Sequence, residues 1–160
     1  MHIQIFSIGG TIDKVYFDKL SKYEVGFPSI KEILVTMPIS FTYTVKSLLR
    51  KDSLDLTDAD RKQIHRHVLQ CKESKILITH GTDTMIETAQ ALYDITDKKI
   101  VLTGALEPAG FKSSDAVFNI GTALGILNTA PNGVYIAMNG RAFDPFKCRK
   151  NRKIGKFTDK

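Results

Sequence analysis

The 160-residue chain is expected to form one α/β domain, residues 1–160, with a largely parallel central sheet and helices on both faces. Three observations predict this. Short apolar runs alternate along the chain with stretches whose apolar residues recur at helical spacing. The runs stop at glycine or at small polar residues, and no internal repeat or low-complexity linker interrupts the alternation. Hydrophobic residues make up 42% and charged residues 25%, the balance of a packed globular protein rather than a disordered chain.

His2 to Ser7, with Ile3, Ile5 and Phe6, stops at Gly9-Gly10 and is the first expected strand. Asp13 to Phe27 is rich in lysine, tyrosine and acids and lacks a helical stripe, so it is expected to be a mobile lid. Phe41 to Leu49 alternates through Tyr43, Val45 and Ser47 as a second strand. Thr57 caps a helix with Asp58 and Asp60 in its first turn and Ile64, Val68 and Cys71 on one face. Lys75 to Thr79 is the third strand; a helix after Asp83 carries Ile86, Ala89 and Leu92. Lys99 to Thr103 is the fourth strand. Ser114 opens a helix with Val117, Ile120, Leu124 and Leu127 as its stripe, and Gly133 to Met138 is the fifth strand. Together these elements describe a three-layer, Rossmann- or flavodoxin-like domain.

The net charge of +6 suggests a nucleic-acid partner until it is divided along the chain. Residues 147–160 hold seven bases (Lys147, Arg149, Lys150, Arg152, Lys153, Lys156 and Lys160) against Asp159, and the remainder is balanced. The excess therefore belongs to a basic C-terminal tail, solvated or facing a partner, and the body offers no basic surface for nucleic acid. No run approaches the ~18 apolar residues of a membrane span, and Met1 to Phe6 lacks a basic leader, so a cytoplasmic protein is expected. Cys71 and Cys148 are too few for a disulfide scaffold and lack zinc spacing. His65 and His67 are two apart on a helix and point away from each other, so no metal site is assigned.

Small hydroxyl and acidic residues gather just after the strands, in Gly9-Gly10-Thr11, Asp52-Ser53-Leu54-Asp55, His80-Gly81-Thr82-Asp83-Thr84 and Gly104-Ala105-Leu106-Glu107-Pro108. In an open parallel sheet these carboxyl ends share one edge, where ligands bind. Gly10 and Gly81 remove side chains beside Thr11 and Thr82, so backbone N–H groups can approach a carboxylate or a developing oxyanion. The chemistry implied is acyl transfer or anion binding. Each piece alone has a plainer reading. Thr82 and Asp83 suit a helix cap, the glycine pair suits a tight turn and is not a dinucleotide fingerprint, and His80 suits a hydrogen-bonded supporting role.

Ile8-Gly9-Gly10-Thr11-Ile12 together with Ile78-Thr79-His80-Gly81-Thr82-Asp83-Thr84-Met85 resembles, in order and separation, the two motifs of the bacterial-type L-asparaginase family. Similarity continues through Tyr23-Glu24-Val25-Gly26, Asp52 to Asp55, Gly104 to Pro108, Ser114-Asp115 with Asn119, and Ala137-Met138-Asn139. The chain looks like a short, single-domain member without the family's C-terminal domain. By this resemblance Thr11 is the nucleophile and Tyr23 its activating tyrosine, while Thr82, Asp83 and Lys150 form a second triad. Lys147, three residues from Lys150, is the alternative lysine. Ser53 and Asp55 match the segment that holds the substrate's α-carboxylate, and Asp83 would also meet its ammonium; Leu54 departs from the polar residue usual there in long members. In those members a neighbouring subunit's second domain supplies an acid, for which either Glu24, Glu107 or another subunit's acid would substitute, or the site would be open and its affinity modest.

The resemblance implies hydrolysis of L-asparagine to L-aspartate and ammonia through a threonine acyl ester, without a cofactor, with L-glutamine a weaker substrate. The competing readings are a non-catalytic amino-acid-binding or partner-docking module and the amidase component of an amidotransferase. A homodimer is expected, with Phe143, Pro145 and Phe146 as candidate contacts.

Overall fold

In the computed structural model, which describes all 160 residues, five strands run parallel: β1 (His2–Gly9), β4 (Thr42–Lys51), β5 (Lys75–Thr79), β6 (Lys99–Thr103) and β7 (Gly133–Met138). With the antiparallel edge strand β8 (Arg141–Phe143) they form one sheet ordered β4-β1-β5-β6-β7-β8. Two β-hairpins lie outside it: β2 (Lys14–Phe17) with β3 (Lys22–Val25), and β9 (Cys148–Asn151) with β10 (Lys156–Asp159). Four helices complete the chain: α1 (Ser29–Thr36), α2 (Asp58–Gln70), α3 (Met85–Gln90) and α4 (Ala116–Thr129).

The central strands are apolar throughout because both of their faces are covered. On β5, Ile76 and Ile78 enter one core with Ile64 and Val68 of α2 and Ala89 of α3. Leu77, between them, enters the other with Ile30 and Leu34 of α1 and Ile120 and Leu127 of α4. The expected helix start at Thr57 is a full capping box: the Thr57 hydroxyl accepts the Asp60 N–H at 3.2 Å and the Asp60 carboxylate accepts the Thr57 N–H at 2.9 Å. At α4 the Ser114 hydroxyl accepts the Ala116 N–H at 3.1 Å. Val117, assigned to the apolar stripe of that helix, is instead 49% exposed beside Phe118, and Ala123 and Asn119 take the inward positions.

Within the segment 13–27, β2 and β3 form a hairpin closed at its base by the Gly26 N–H donating to the Asp13 carbonyl at 2.7 Å. Residues 147–160 do not trail into solvent: they fold as β9–β10, with Cys148 and Phe157 buried in the core. Of the residues put forward for a subunit contact, Phe143 and Pro145 are buried and Phe146 is exposed, its ring edge against Tyr93 at 4.8 Å. No helix is long and apolar enough to cross a membrane.

Candidate active site

The end of β1 sets the geometry. Its pairing with β4 slips between Ser7 and Gly9, and Gly9 and Gly10 follow at φ 107° and 88°, a region that favours glycine. The Gly10 N–H donates to the Lys51 carbonyl at 2.9 Å, which ties this turn to the end of β4. A Cβ on Gly10 would overlap the backbone of Gly81, and one on Gly81 would lie 2.5 Å from Cβ of Ser53. A Cβ on Gly104 would overlap the His80 carbonyl. The loops after β1, β5 and β6 thus meet backbone to backbone on one sheet edge, the Ser53 side chain packs against Gly81, and the Thr84 hydroxyl donates to the Ser53 carbonyl at 2.7 Å to close them further.

Thr82 is buried directly after this contact. Lys150 Nζ, reaching in from β9, donates to Thr82 Oγ1 at 2.7 Å and to Asp83 Oδ1 at 2.8 Å. Lys147 is exposed and pairs only with Asp144 at 3.8 Å, so the lysine of this cluster is Lys150. Two asparagines hold the strand that delivers it. Phe157, which lies opposite Lys150 in the hairpin register, donates its N–H to Asn139 Oδ1 at 2.8 Å. The Asn139 N–H in turn donates to Asn119 Oδ1 at 3.0 Å, and Asn119 Nδ2 donates to Asp115 at 2.7 Å and to the Gly104 carbonyl at 3.0 Å. A partly buried network therefore runs from the loop after β6 to the hairpin that carries the lysine.

His80 is fully buried, and its neighbours define its role. Nδ1–H donates to the Gly81 carbonyl at 2.7 Å and Nε2 accepts from the Thr88 hydroxyl at 2.9 Å. Burial pulls its pKa down to about 4, so the ring is neutral and braces the Gly81 turn. Ser53 is buried in a single helical turn whose preceding residue, Asp52, accepts the Leu54 N–H at 3.1 Å and pairs with Lys14 at 2.7 Å. Those partners hold the Asp52 carboxyl below its ordinary range.

Other predicted residues stand apart from this cluster. Tyr23 is about half exposed on β3, its ring against Tyr16 at 5.3 Å and Phe111 at 6.0 Å, and its hydroxyl makes no hydrogen bond to Thr11. Asp55 is exposed and its carboxylate has no partner in the chain. Glu24 pairs with Lys22 at 3.2 Å, and Glu107 accepts the Ser113 hydroxyl at 2.6 Å. Thr11 opens the short turn Thr11–Asp13, tied to the β6 loop by the Ala109 N–H donating to the Ile12 carbonyl at 3.1 Å.

Two residues of the site region went unremarked in the sequence. Asp13 is fully buried, accepts the Ser7 hydroxyl at 2.9 Å and the Ser29 N–H at 2.8 Å, and burial raises its pKa from the ordinary 3.8 to about 6. The one available signal was an acid directly following Thr11-Ile12 with a serine inside the preceding strand. Arg152, counted only among the bases of the tail, places Nη2 3.1 Å from Asp83 Oδ1.

Comparison with known proteins agrees with this geometry. The family described as "Asparaginase, N-terminal" matches residues 2–155. A protein named "Probable L-asparaginase periplasmic" from Haemophilus influenzae is 33% identical over 150 residues, 86% of this chain and 43% of that protein. A "Glutaminase-asparaginase" from Pseudomonas fluorescens biotype A is 28% identical over 152 residues, 86% of this chain and 42% of that one. The solved structure of the thermostable L-asparaginase from Thermococcus kodakarensis superposes with TM-score 0.87 at 25% identity, covering 99% of this chain and 51% of the other. The chain spans about half the length of the proteins it matches.

Proposed function

This chain belongs to the asparaginase family, and we propose that it is an amidohydrolase that converts L-asparagine to L-aspartate and ammonia through a threonine acyl ester. One observation carries the reading: a buried threonine hydroxyl, a lysine and an aspartate drawn from loops almost seventy residues apart meet at 2.7 and 2.8 Å on the ligand-binding edge of the sheet. A cap for the helix after Asp83 would need no lysine brought in from β9. The glutaminase-asparaginase among the relatives supports L-glutamine as a second, weaker substrate, since the two amides differ by one methylene, worth about 1–3 kcal/mol in a pocket.

In this scheme Thr11 Oγ attacks the side-chain amide carbon, its proton passing to Tyr23 as the hairpin β2–β3 closes. The tetrahedral intermediate collapses as Tyr23 passes that proton on to the amide nitrogen, which leaves as ammonia, and the acyl group stays on Thr11. Water then attacks that ester, activated at the Thr82–Lys150 pair, and aspartate departs with Thr11 restored. Lys150 shares its protons with Thr82 while Asp83 fixes it in place. Backbone N–H groups that follow Gly10 and Gly81 are the donors for the oxyanion of each step, the Gly10 N–H itself being held by Lys51, and Ser53 and Asp55 hold the α-amino-acid end. No cofactor enters the scheme.

The homodimer and the cytoplasmic location belong to the same proposal. The exposed Tyr16, Phe17 and Phe27 on and beside the hairpin are the apolar surface that a neighbour would cover, and two free cysteines suit a reducing compartment.

The deciding experiment is ammonia release from L-asparagine by the wild type, Thr11→Ala, Thr82→Ala and the double variant. Each single change is expected to cost at least about a hundredfold in kcat, with the double variant little worse than the poorer single one, because the hydroxyls serve one reaction. Near-normal turnover by Thr11→Ala would remove it as nucleophile. No ammonia from the wild type would remove the amidohydrolase reading.

A further inference from the structure

Thr11 is held by backbone alone, since its hydroxyl has no hydrogen-bond partner in the chain. The turn that carries it, Thr11–Asp13, is too short to keep its shape unaided. Its other two residues are fully buried and anchor it. Ile12 enters the core shared with Ile30 and Leu34 of α1. Asp13 bonds through every polar group it has. Its N–H donates to the Gly10 carbonyl at 3.1 Å, its carbonyl accepts the Gly26 N–H at 2.7 Å, and its carboxyl accepts the Ser7 hydroxyl at 2.9 Å and the Ser29 N–H at 2.8 Å. These partners belong to the end of β1, the base of the β2–β3 hairpin and the first residue of α1. An apolar side chain at this position would strand a buried hydroxyl and a helix-start N–H, at a cost beyond that of the lost bonds. Resting on the reading of Thr11 as nucleophile, we propose that Asp13 is its positioning residue: one side chain and its own backbone join the Thr11 turn, the hairpin that bears Tyr23 and the start of α1 into a unit that opens and closes together.

A carboxyl in this place makes the unit responsive to protons, because no cation is bound to it. Lys14 is turned to Asp52 at 2.7 Å and Lys51 to Asp60 at 2.9 Å, and Glu107 holds Ser113. Lys31 and Glu32 of α1 are exposed. Arg50 of β4, the one charge that eases ionisation, is also exposed, donating to the Val25 carbonyl at 3.4 Å and lying 4.5 Å over the Phe27 ring. Burial therefore raises the carboxyl to about 6. Neutral, it keeps the Ser29 N–H on one oxygen and shares its proton with Ser7 through the other. Ionised, it is a buried charge without a counter-ion, and opening to water relieves it. With 3.8 in the opened form and about 6 in the closed one, opening is about tenfold more favourable at pH 8 than at pH 5.

The test reads both the unit and the reaction. Amide hydrogen exchange at Asp13, Gly26 and Ser29 is followed in the full chain between pH 5 and pH 8, for the wild type, Asp13→Asn, Asp13→Ala and Ser7→Ala, with ammonia release from L-asparagine alongside. In the wild type the three amides are expected to share one protection factor within about threefold, below that of Leu77 and Val101 in the sheet, and to lose about tenfold together by pH 8. Asparagine can accept from Ser29 and donate to Ser7, so Asp13→Asn should keep the three together, hold kcat within about threefold and abolish the pH dependence. Ser7→Ala removes a donor that favours the charged form, and should move the midpoint of that dependence to higher pH. Asp13→Ala should separate the three amides and lower kcat at least about tenfold with a smaller change in KM, the pattern of a displaced nucleophile. Unrelated protection factors in the wild type, protection set only by global unfolding, protection indifferent to pH, or near-normal kcat in Asp13→Ala overturns the proposal. Should Asp13→Ala fail to fold, exchange in Asp13→Asn and Ser7→Ala decides it. Shared, pH-dependent exchange in a wild type that releases no ammonia sustains the unit and overturns the hydrolase reading alone.

Discussion

Gly10→Ala is the sharpest test of how the site is assembled, because its cost arises from two separate features. At φ 88° and ψ −172° Gly10 occupies a region nearly closed to residues with a Cβ, which costs about 1–3 kcal/mol. The added methyl would also overlap the Gly81 backbone and stand 3.1 Å from the His80 carbonyl carbon. No flexible side chain is there to yield, so the two loops must part, at about 1–3 kcal/mol more. The sum of about 4 kcal/mol corresponds to a fall in Tm of about 8–16 °C for a chain of this length. Activity should fall further than stability, because parting these loops moves Thr11 away from Thr82. Gly121→Ala is the control: that residue is exposed on α4, a methyl there meets nothing within 4 Å, and a helical alanine should raise Tm by about 2–4 °C. Thermal melts followed by circular dichroism, with ammonia release at 25 °C, measure both effects. A Gly10→Ala Tm within about 3 °C of wild type, with unchanged turnover, would refute the backbone contact on which the site depends.

Lys150→Met is expected to lower ammonia release by at least about a hundredfold while Lys147→Met leaves it unchanged, since only the first lysine touches Thr82 and Asp83; equal losses would contradict the assignment. Asp13 gives a pH signature in stability: its folded pKa of about 6 lies above the ordinary 3.8, so its contribution is fully present below about pH 4 and is lost as pH rises through 6. Asp13→Asn should therefore gain on wild type by up to about 3 kcal/mol between pH 4 and pH 7 in urea unfolding, and a difference that stays flat with pH would show that burial does not perturb this carboxyl.

Much of the fold was legible in the sequence because burial on both faces leaves a dense apolar signal. The strands at Lys75–Thr79, Lys99–Thr103 and Gly133–Met138 have the expected limits residue for residue. Boundaries drifted where a strand is covered less completely. Every second residue or so of β4 reaches solvent, and that strand extends two residues past its expected end because Lys51 still pairs with Gly9. The strands left unassigned, β2, β3, β8, β9 and β10, are three or four residues long and carry at most one buried side chain each, too few for a periodicity to register; the helix α1 was also left unassigned, its eight residues burying only Ile30 and Leu34.

The site divides along the same physical line. Glycines whose neighbours forbid a Cβ leave a trace in the sequence, so Gly10, Gly81 and the loops they join could be placed on one edge from their position after the strands of an expected parallel sheet. The lysine left no comparable trace. Lys150 sits among seven bases that look alike in composition, and what distinguishes it is alternation along β9: Cys148 and Lys150 point inward, Arg149 outward. That alternation registers with the body of the domain only through long-range bonds, Phe157 to Asn139 and Asn139 to Asn119. Asn139 makes them from φ 54°, a left-handed turn that asparagine tolerates better than most residues. Shifting the hairpin by one residue against Asn139 would turn Lys150 outward and present Arg149 or Asn151 to Thr82. The chemistry of the site thus depends on a two-stranded register whose fixing groups lie on α4 and after β7, far in sequence from the threonine they serve, which is why a motif at residues 78–85 could mark the threonine and leave its lysine ambiguous.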